Sequence, residues 1–335
     1  MEKVKKAIAL LLMSAMTLVL SGCGNVNQKN SKEDGVIDIV CTTYPQYDWA
    51  RQVIGENNTK VTLNLIVDNG MDVHNYQPSA EDMIEIANSD LVIYNGGTSE
   101  QWVEEAVKNN EQIKTIEIME LLKQQMVEEE LVEGMVHDHD HEGLEEEAGH
   151  ADDDEEATEY DEHIWLSLKN AIIVAEEIEK AMIELDQENA ILYEQNADNY
   201  VKELQDLDNR YKETVKAGNR NLILFGDRFP FRYLVKDYGL TYYAAFPGCS
   251  AETEASFETI VFLAEKVKEN NLPCILTIDG SDKSIAESIK SNVGNEGIEI
   301  LTLNSLQSVS KEKLEETTYL SVMEENLEVL KQALD

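Results

Sequence analysis

Histidine and acidic side chains are concentrated in one part of the chain. Five of the six histidines lie between residues 137 and 163, where histidine first alternates with aspartate and an acidic run follows. Imidazole nitrogen suits borderline ions such as zinc, and carboxylate oxygen suits harder ions such as manganese. A tract that mixes both ligands binds several metals loosely, so we interpret it as an auxiliary, low-affinity collector of cations. Its histidines are His137, His139, His141 and His150.

A second group of candidate ligands is spread along the chain, and each member lies near the carboxyl end of a predicted strand. The group consists of His74, His163, Asp227 and Asp279. In open α/β sheets ligands bind beyond the carboxyl ends of strands, so these side chains could converge in a cleft. Two imidazoles and two carboxylates make a complete tetrahedral or five-coordinate metal site. Each residue alone has an ordinary alternative as a surface histidine, a helix cap or a turn former.

Short β-branched runs alternate with helical patterns in both halves of the chain. The predicted strands are residues 36–41, 60–67, 91–94, 114–118, 222–225, 240–245, 274–279 and 298–303. Helical patterns between them include residues 47–54, 79–87, 257–269 and 284–291. This alternation predicts the α/β class, with two parallel-sheet lobes and the metal site in the cleft between them. The segment that follows His163 reads as a further hydrophobic, strand-like run.

A long helix is predicted between the two lobes. Residues 189–217 contain neither proline nor glycine, and apolar or tyrosine side chains recur at steps of three and four. This stripe consists of Tyr193, Ala197, Tyr200, Leu204, Leu207, Tyr211 and Val215. At ~1.5 Å per residue the helix would be roughly 40 Å long, enough to brace both lobes as a rigid connection.

The amino terminus has the pattern of an export signal. Three lysines precede an apolar run from Ala7 to Leu20 that is too short to span a bilayer, which predicts a signal peptide over residues 1–22. The following Leu-Ser-Gly-Cys resembles a bacterial lipobox, which implies lipidation of Cys23 and anchoring at the extracytoplasmic face of the cell membrane. Residues 23–35 would then form a flexible tether.

The remaining chain divides into three predicted parts. They are an N-terminal lobe over residues 36–168, connecting helices over residues 169–218, and a C-terminal lobe over residues 219–335. Residues 127–162 contain 18 acids and no lysine or arginine, which predicts a surface insertion that is disordered or weakly ordered.

The overall charge narrows the possible partners, and the cysteine content bears on disulfide bonding. The net charge of −40 argues against binding to nucleic acid, which is also a polyanion. Besides Cys23, the thiols are Cys41, Cys249 and Cys274, with no paired spacing. They do not form a disulfide framework, and we expect free thiols, although a single bridge stays open.

Several longer motifs together resemble one bacterial family. They are MDVHNYQPSAEDMIEIANSDLVIYNGG, DEHIWLSLKNAIIVAEEI, LDQENAILYEQNADNYVKEL, FGDRFPFRYLVKDYGL and GCSAETEASFETI. With them the chain resembles the zinc/manganese (cluster A-I) solute-binding lipoproteins of ABC uptake systems, from Val36 to the C-terminus. The resemblance implies a monomer that clasps one metal ion and delivers it to a membrane permease powered by an ATPase.

The resemblance also implies a ligand set. The first and second histidines of the family correspond to His74 and His163, and its last acid corresponds to Asp279. At the third position zinc-binding members usually carry histidine and manganese-binding members a carboxylate, and here the residue is Asp227. Zinc binds more tightly than manganese to almost any nitrogen and oxygen site, so we expect Zn²⁺ as the cargo, with Mn²⁺ as the alternative.

Two functions of other classes stay open on the sequence. A surface zinc hydrolase would need an open coordination position and a base, and the chain has no HExxH pattern. A metal-buffering adhesin would use only the acidic tract. Four protein ligands would also leave little room for a catalytic water, so we do not expect the chain to be an enzyme.

Overall fold

Two parallel β-sheets form the framework of the protein. The computed structural model describes residues 35–55, 58–68, 70–108, 110–135, 159–250, 254–307 and 309–335. The first sheet contains β1 (Ile37–Cys41), β2 (Val61–Leu65), β3 (Leu91–Tyr94) and β4 (Lys114–Glu117). The second contains β5 (Leu222–Phe229), β6 (Thr241–Pro247), β7 (Cys274–Ile278) and β8 (Glu299–Leu303). The strand orders β2-β1-β3-β4 and β6-β5-β7-β8 are equivalent, and all pairs are parallel. The predicted α/β class is confirmed.

Ten α-helices lie within the described residues. They are α1 (Tyr44–Ile54), α2 (Ala80–Asn88), α3 (Gln101–Val107), α4 (Ile118–Leu121), α5 (Leu168–Leu185), α6 (Ala190–Ala217), α7 (Arg232–Tyr238), α8 (Phe257–Glu269), α9 (Ser284–Val293) and α10 (Tyr319–Leu334). In this described part of the chain, none of them combines the length and the apolar character that crossing a membrane requires.

Helix α6 is the predicted long connection. It has 28 residues, about 42 Å at ~1.5 Å per residue. The predicted stripe is buried from Tyr193 to Tyr211, and Val215 is partly buried against the same core. That core is continuous from β1 in the first lobe, through α5, α6 and α10, to β5 and β7 in the second. A continuous packed core resists shear between the lobes, so α6 braces them as predicted.

Hydrogen bonds away from α6 also join the two halves. The indole of Trp165 donates to the carbonyl of Ser305 at 2.9 Å, and the hydroxyl of Tyr319 donates to the carbonyl of Trp165 at 2.7 Å. After β8 the chain returns to the first lobe, where the backbone N–H of Lys311 donates to the carbonyl of Asp68 at 2.8 Å. These contacts hold one side of the cleft together.

Two local predictions differ from the structure. Asp227 does not follow β5 but lies inside it, because β5 continues to Phe229 past an irregularity in register between Phe225 and Arg228. The segment after His163 is not strand-like but a 3-10 helix, Ile164–Leu166, closed by a hydrogen bond from the Leu166 N–H to the His163 carbonyl. A bulge and a tight turn both depend on tertiary packing, which the hydrophobic pattern does not encode.

The ends of the acidic segment 127–162 are part of the fold. Glu128 and Tyr160 form an antiparallel bridge, and the N–H of Asp161 donates to the carbonyl of Val127. Asp161 and Glu162 are 0% and 5% exposed, so they belong to the interior and not to a surface insertion. The histidines of the auxiliary tract, the predicted signal peptide and Cys23 lie outside the described residues.

Candidate metal centre

His74 is held by the residue that starts its own turn. After β2 the chain enters a 3-10 helix, Val73–Asn75, whose cap is Asp72. One carboxylate oxygen of Asp72 accepts from the His74 backbone N–H at 3.1 Å and lies 2.6 Å from the ring Nδ1. This contact places the proton on Nδ1 and leaves the lone pair on Nε2. That Nε2 is buried and has no hydrogen-bond partner among the described residues; the Glu162 carboxylate lies 3.9 Å away.

His163 is held by the same local device. Asp161, two residues earlier, accepts from the His163 backbone N–H at 2.8 Å and lies 3.1 Å from the ring Nδ1. The ring is 0% exposed and packs edge-on against Trp165. Its Nε2 is 2.7 Å from the side-chain nitrogen of Gln307, which can donate to it. A carboxylate behind a ring nitrogen orients a metal-binding histidine and raises its basicity.

The two histidines meet, and a cysteine joins them. The ring centroids of His74 and His163 are 5.0 Å apart. The sulfur of Cys249, in the loop after β6, completes a group whose donor atoms all lie within 4.8 Å of one another. Gly248 makes this approach possible, since a Cβ there would lie only 2.9 Å from Cε1 of His163. The two histidines are among the predicted ligands, and Cys249 is not.

Acidic side chains surround this group. Burial raises the pKa of the Cys249 thiol well above its usual range, and the nearby carboxylates of Asp161 and Glu129 raise it further. Burial likewise raises the pKa of Glu129, with a contribution from Asp161. One carboxylate oxygen of Asp161 is buried without a hydrogen-bond partner in the described chain. Buried negative charge of this kind favours a cation over a neutral or anionic ligand.

The two predicted aspartates lie beside the histidines and not among them. Asp227 accepts from the N–H of Ile278 at 3.2 Å, and Asp279 accepts from the N–H and hydroxyl of Ser305 at 2.5 and 2.7 Å. Both line a cavity of about 430 Å³ that also contains Asp72 and Gln307, the partners of the two histidines. Neither belongs to the close group of donors in the described residues. Their role as ligands stays a prediction.

The structure also shows two orienting residues that sequence reasoning missed. Asp72 and Asp161 each stand two residues before a histidine, in Asp-Val-His and Asp-Glu-His. The repeated Asp-x-His spacing was a usable signal, because a short aspartate at that spacing can cap a turn and reach the ring. For Cys249 the local sequence signal was limited to the glycine that precedes it.

The comparison with protein families agrees with the architecture. The model of the family described as "ZnuA: Zinc-uptake complex component A periplasmic" matches residues 39–333. The chain belongs to the ZnuA family. This confirms the predicted resemblance, and membership of an uptake family supports a binding protein and not an enzyme.

Three known proteins resemble this chain over nearly its whole length. The zinc-binding lipoprotein AdcA of Streptococcus pneumoniae is 32% identical over 98% of this chain, which spans 61% of that relative. The high-affinity zinc uptake protein ZnuA of Bacillus subtilis is 28% identical, with 98% of each chain covered. The manganese ABC transporter substrate-binding lipoprotein PsaA of Streptococcus pneumoniae is 26% identical, with 100% of each covered.

A solved structure supports the same assignment. The crystal structure of the Zn(II)-bound ZnuA-like domain of Streptococcus pneumoniae AdcA superposes with a TM-score of 0.68 and 28% identity. It covers 90% of this chain and 100% of that domain. The ZnuA-type lobes and their connecting helix are therefore shared.

Proposed function

We propose that this protein is the extracytoplasmic metal receptor of an ABC importer. It binds one zinc ion between His74 and His163 and delivers the ion to a membrane permease driven by an ATPase. The observation that carries the proposal is the pair of facing imidazoles, each backed by an aspartate, with a ligand nitrogen of His74 buried and unpartnered in the described chain. Buried polar atoms are normally satisfied, so an orphan nitrogen beside a second imidazole points to a cation.

The relatives support zinc as cargo and keep manganese as the alternative. Two of them are named for zinc, and one is named for manganese. The cavity with Asp227 and Asp279 would supply the oxygen ligands that manganese prefers, whereas imidazole suits zinc. The names of the lipoprotein relatives also support the predicted anchor at Cys23.

Direct metal binding tests the site. The full chain is titrated with zinc in competition with a chromophoric chelator, in the native form and as His74→Ala and His163→Ala. We expect one tight site in the native protein and loss of tight binding in each variant, because each removes a ligand. Unchanged tight binding in both variants would contradict the proposed site.

A deletion separates the receptor from a metal buffer. Removing residues 137–150 takes away the auxiliary tract and leaves the pair of histidines in place. We expect the tight site to remain and the number of weakly bound ions to fall, because the tract only raises the local ion supply. Loss of the tight site in this deletion would favour the buffering alternative.

Transport needs a test in cells. A host strain without the gene, complemented with the native chain, is compared with strains that carry the two histidine variants under chelator-imposed zinc limitation. We expect radioactive zinc uptake and growth only with the native chain. Equal uptake without the gene would contradict the transport role and leave the binding site unaffected.

A further inference from the structure

We propose that the thiolate of Cys249 is the third protein ligand of the metal, and that it makes the site selective for zinc over manganese. This inference rests on the proposed function and adds to it a ligand and a cargo. Neither Asp227 nor Asp279 belongs to the close group of donors in the described residues, and Cys249 does.

The distances fit a site that closes slightly around its ion. The donor atoms of His74, His163 and Cys249 all lie within 4.8 Å of one another. A tetrahedral zinc with Zn–S of ~2.3 Å and Zn–N of ~2.0 Å separates its donors by roughly 3.5 Å. The required contraction is about 1 Å, which a small movement of one loop and side-chain rotation supply, including withdrawal of Gln307 from Nε2 of His163.

The loop that carries Cys249 is pressed against His163. An added Cβ at Gly248 would lie 2.9 Å from Cε1 and 3.0 Å from Nδ1 of His163, and 2.9 Å from the carbonyl oxygen of Phe229. Backbone packed this closely on the ring positions the next side chain beside it. The N–H of Cys249 is directed at the carboxylate of Glu129 at 3.5 Å, which anchors the loop from the other side.

The sulfur of Cys249 is accessible as well as close to the two imidazoles. A cavity of about 440 Å³ lined by Cys249, Glu129 and Glu162 opens on this side, so ions and reagents can reach the sulfur. When the metal binds, the thiol proton passes to solvent, and no redox step is involved.

Ligation by sulfur then determines which metal the site prefers. Thiolate is a soft ligand that binds zinc well, whereas manganese prefers carboxylate, carbonyl and water oxygen. A site of two imidazoles and one thiolate therefore favours zinc more strongly than two imidazoles with two carboxylates would. The other described cysteines, Cys41 and Cys274, are free and buried within strands β1 and β7.

Cobalt(II) provides the test, because it reports sulfur ligation directly. The full native chain, Cys249→Ser and Cys274→Ala are loaded with cobalt(II), and the thiolate-to-cobalt charge-transfer absorption in the near ultraviolet is recorded. We expect the band in the native chain and in Cys274→Ala and its absence in Cys249→Ser. If Cys249→Ser folds poorly, Cys249→Ala takes its place, and absence of the band from the native chain would by itself contradict a thiolate ligand.

Affinities for zinc and manganese complete the test. We expect Cys249→Ser to lower zinc affinity at least tenfold and to leave manganese affinity within about twofold, so that the ratio of the two falls. Cobalt bound without the band, or an unchanged ratio, would overturn the role of Cys249. If tight zinc binding still requires His74 and His163, the proposed receptor function survives that result; if it requires neither histidine, the receptor proposal itself fails.

Discussion

Arg228 of the second lobe donates a hydrogen bond to Asp72 of the first, with 2.9 Å between Nη2 and Oδ2. The other oxygen of the same carboxylate lies 2.6 Å from Nδ1 of His74. Burial raises the pKa of Asp72, but the hydrogen bonds that it accepts from His74 and the charge of Arg228 outweigh burial and hold this pKa well below its usual range. Asp72 therefore stays a carboxylate and links a candidate ligand to the opposite wall of the cleft.

Removing that carboxylate should weaken metal binding without removing a ligand. In Asp72→Ala the His74 ring loses its orienting partner, and we expect zinc affinity to fall ~10–100-fold. Titration against a competing chelator measures the change. Asp68→Ala is the matched control, because Asp68 pairs with Lys311 and lies outside the donor group. Equal effects in the two variants would show that Asp72 has no special role.

Removing Arg228, the other partner of the hydrogen bond to Asp72, should affect the rate of metal release. Arg228→Gln removes the charge-assisted hydrogen bond to Asp72, a contact of a kind worth ~1.5–3 kcal/mol. We expect zinc to dissociate on the order of tenfold faster, as measured by stopped-flow transfer to a chelator. Arg210→Gln is the control, because Arg210 pairs with Glu324 on the exposed surface. Identical release rates in native and Arg228→Gln protein would contradict a role in holding the cleft.

Gly248 should tolerate no side chain. In Gly248→Ala the new Cβ would meet both His163 and the carbonyl of Phe229 at 2.9 Å. We expect lower zinc affinity and a loss of roughly 1–3 kcal/mol in unfolding free energy, because an overpacked site must shift its neighbours. Denaturant unfolding and metal titration measure the two effects. Gly297→Ala, exposed and near only Asn295, should change neither.

Glu100 should make stability depend on pH. Burial raises its pKa from 4.5 to about 7, although the N–H groups of Asn95 and Gly96 donate to the carboxylate. The folded protein therefore keeps this proton where the unfolded chain releases it, so stability falls as pH rises from about 4.5 to about 7. At ~1.4 kcal/mol per pKa unit, ionised Glu100 costs on the order of 3 kcal/mol above that range.

The variant Glu100→Gln isolates this effect. It keeps an oxygen acceptor for the two N–H groups and removes the buried charge, so we expect unfolding free energy to vary less between pH 5 and pH 7 (roughly the window of the shift). Chemical denaturation at several pH values measures the slope. Glu104→Gln, on the exposed face of α3, should keep the native slope. The same slope in all three proteins would refute the assignment to Glu100.

The local sequence pattern was sufficient to predict most of the strands and helices. The β-branched runs at residues 91–94 and 274–279 became strands because a parallel sheet covered on both faces requires short apolar segments. The stripe from Tyr193 to Tyr211 became the buried face of α6 because a 3.6-residue period places those side chains on one side. Ser79 and Asp82 form a capping box at the start of α2, an interaction that is contained within four residues.

The sequence alone predicted only part of the candidate site. His74 and His163 were predicted from motifs that surround them, and the Asp-x-His spacing that orients each ring is local as well. Asp227 was placed outside its strand, because the bulge that keeps it inside β5 arises from pairing with β6. Cys249 joins His74 across more than 170 residues of chain, through packing of Gly248 on His163. The sequence determined which donors exist, and tertiary packing decided which of them meet, because contacts between distant segments depend on how whole elements fit together.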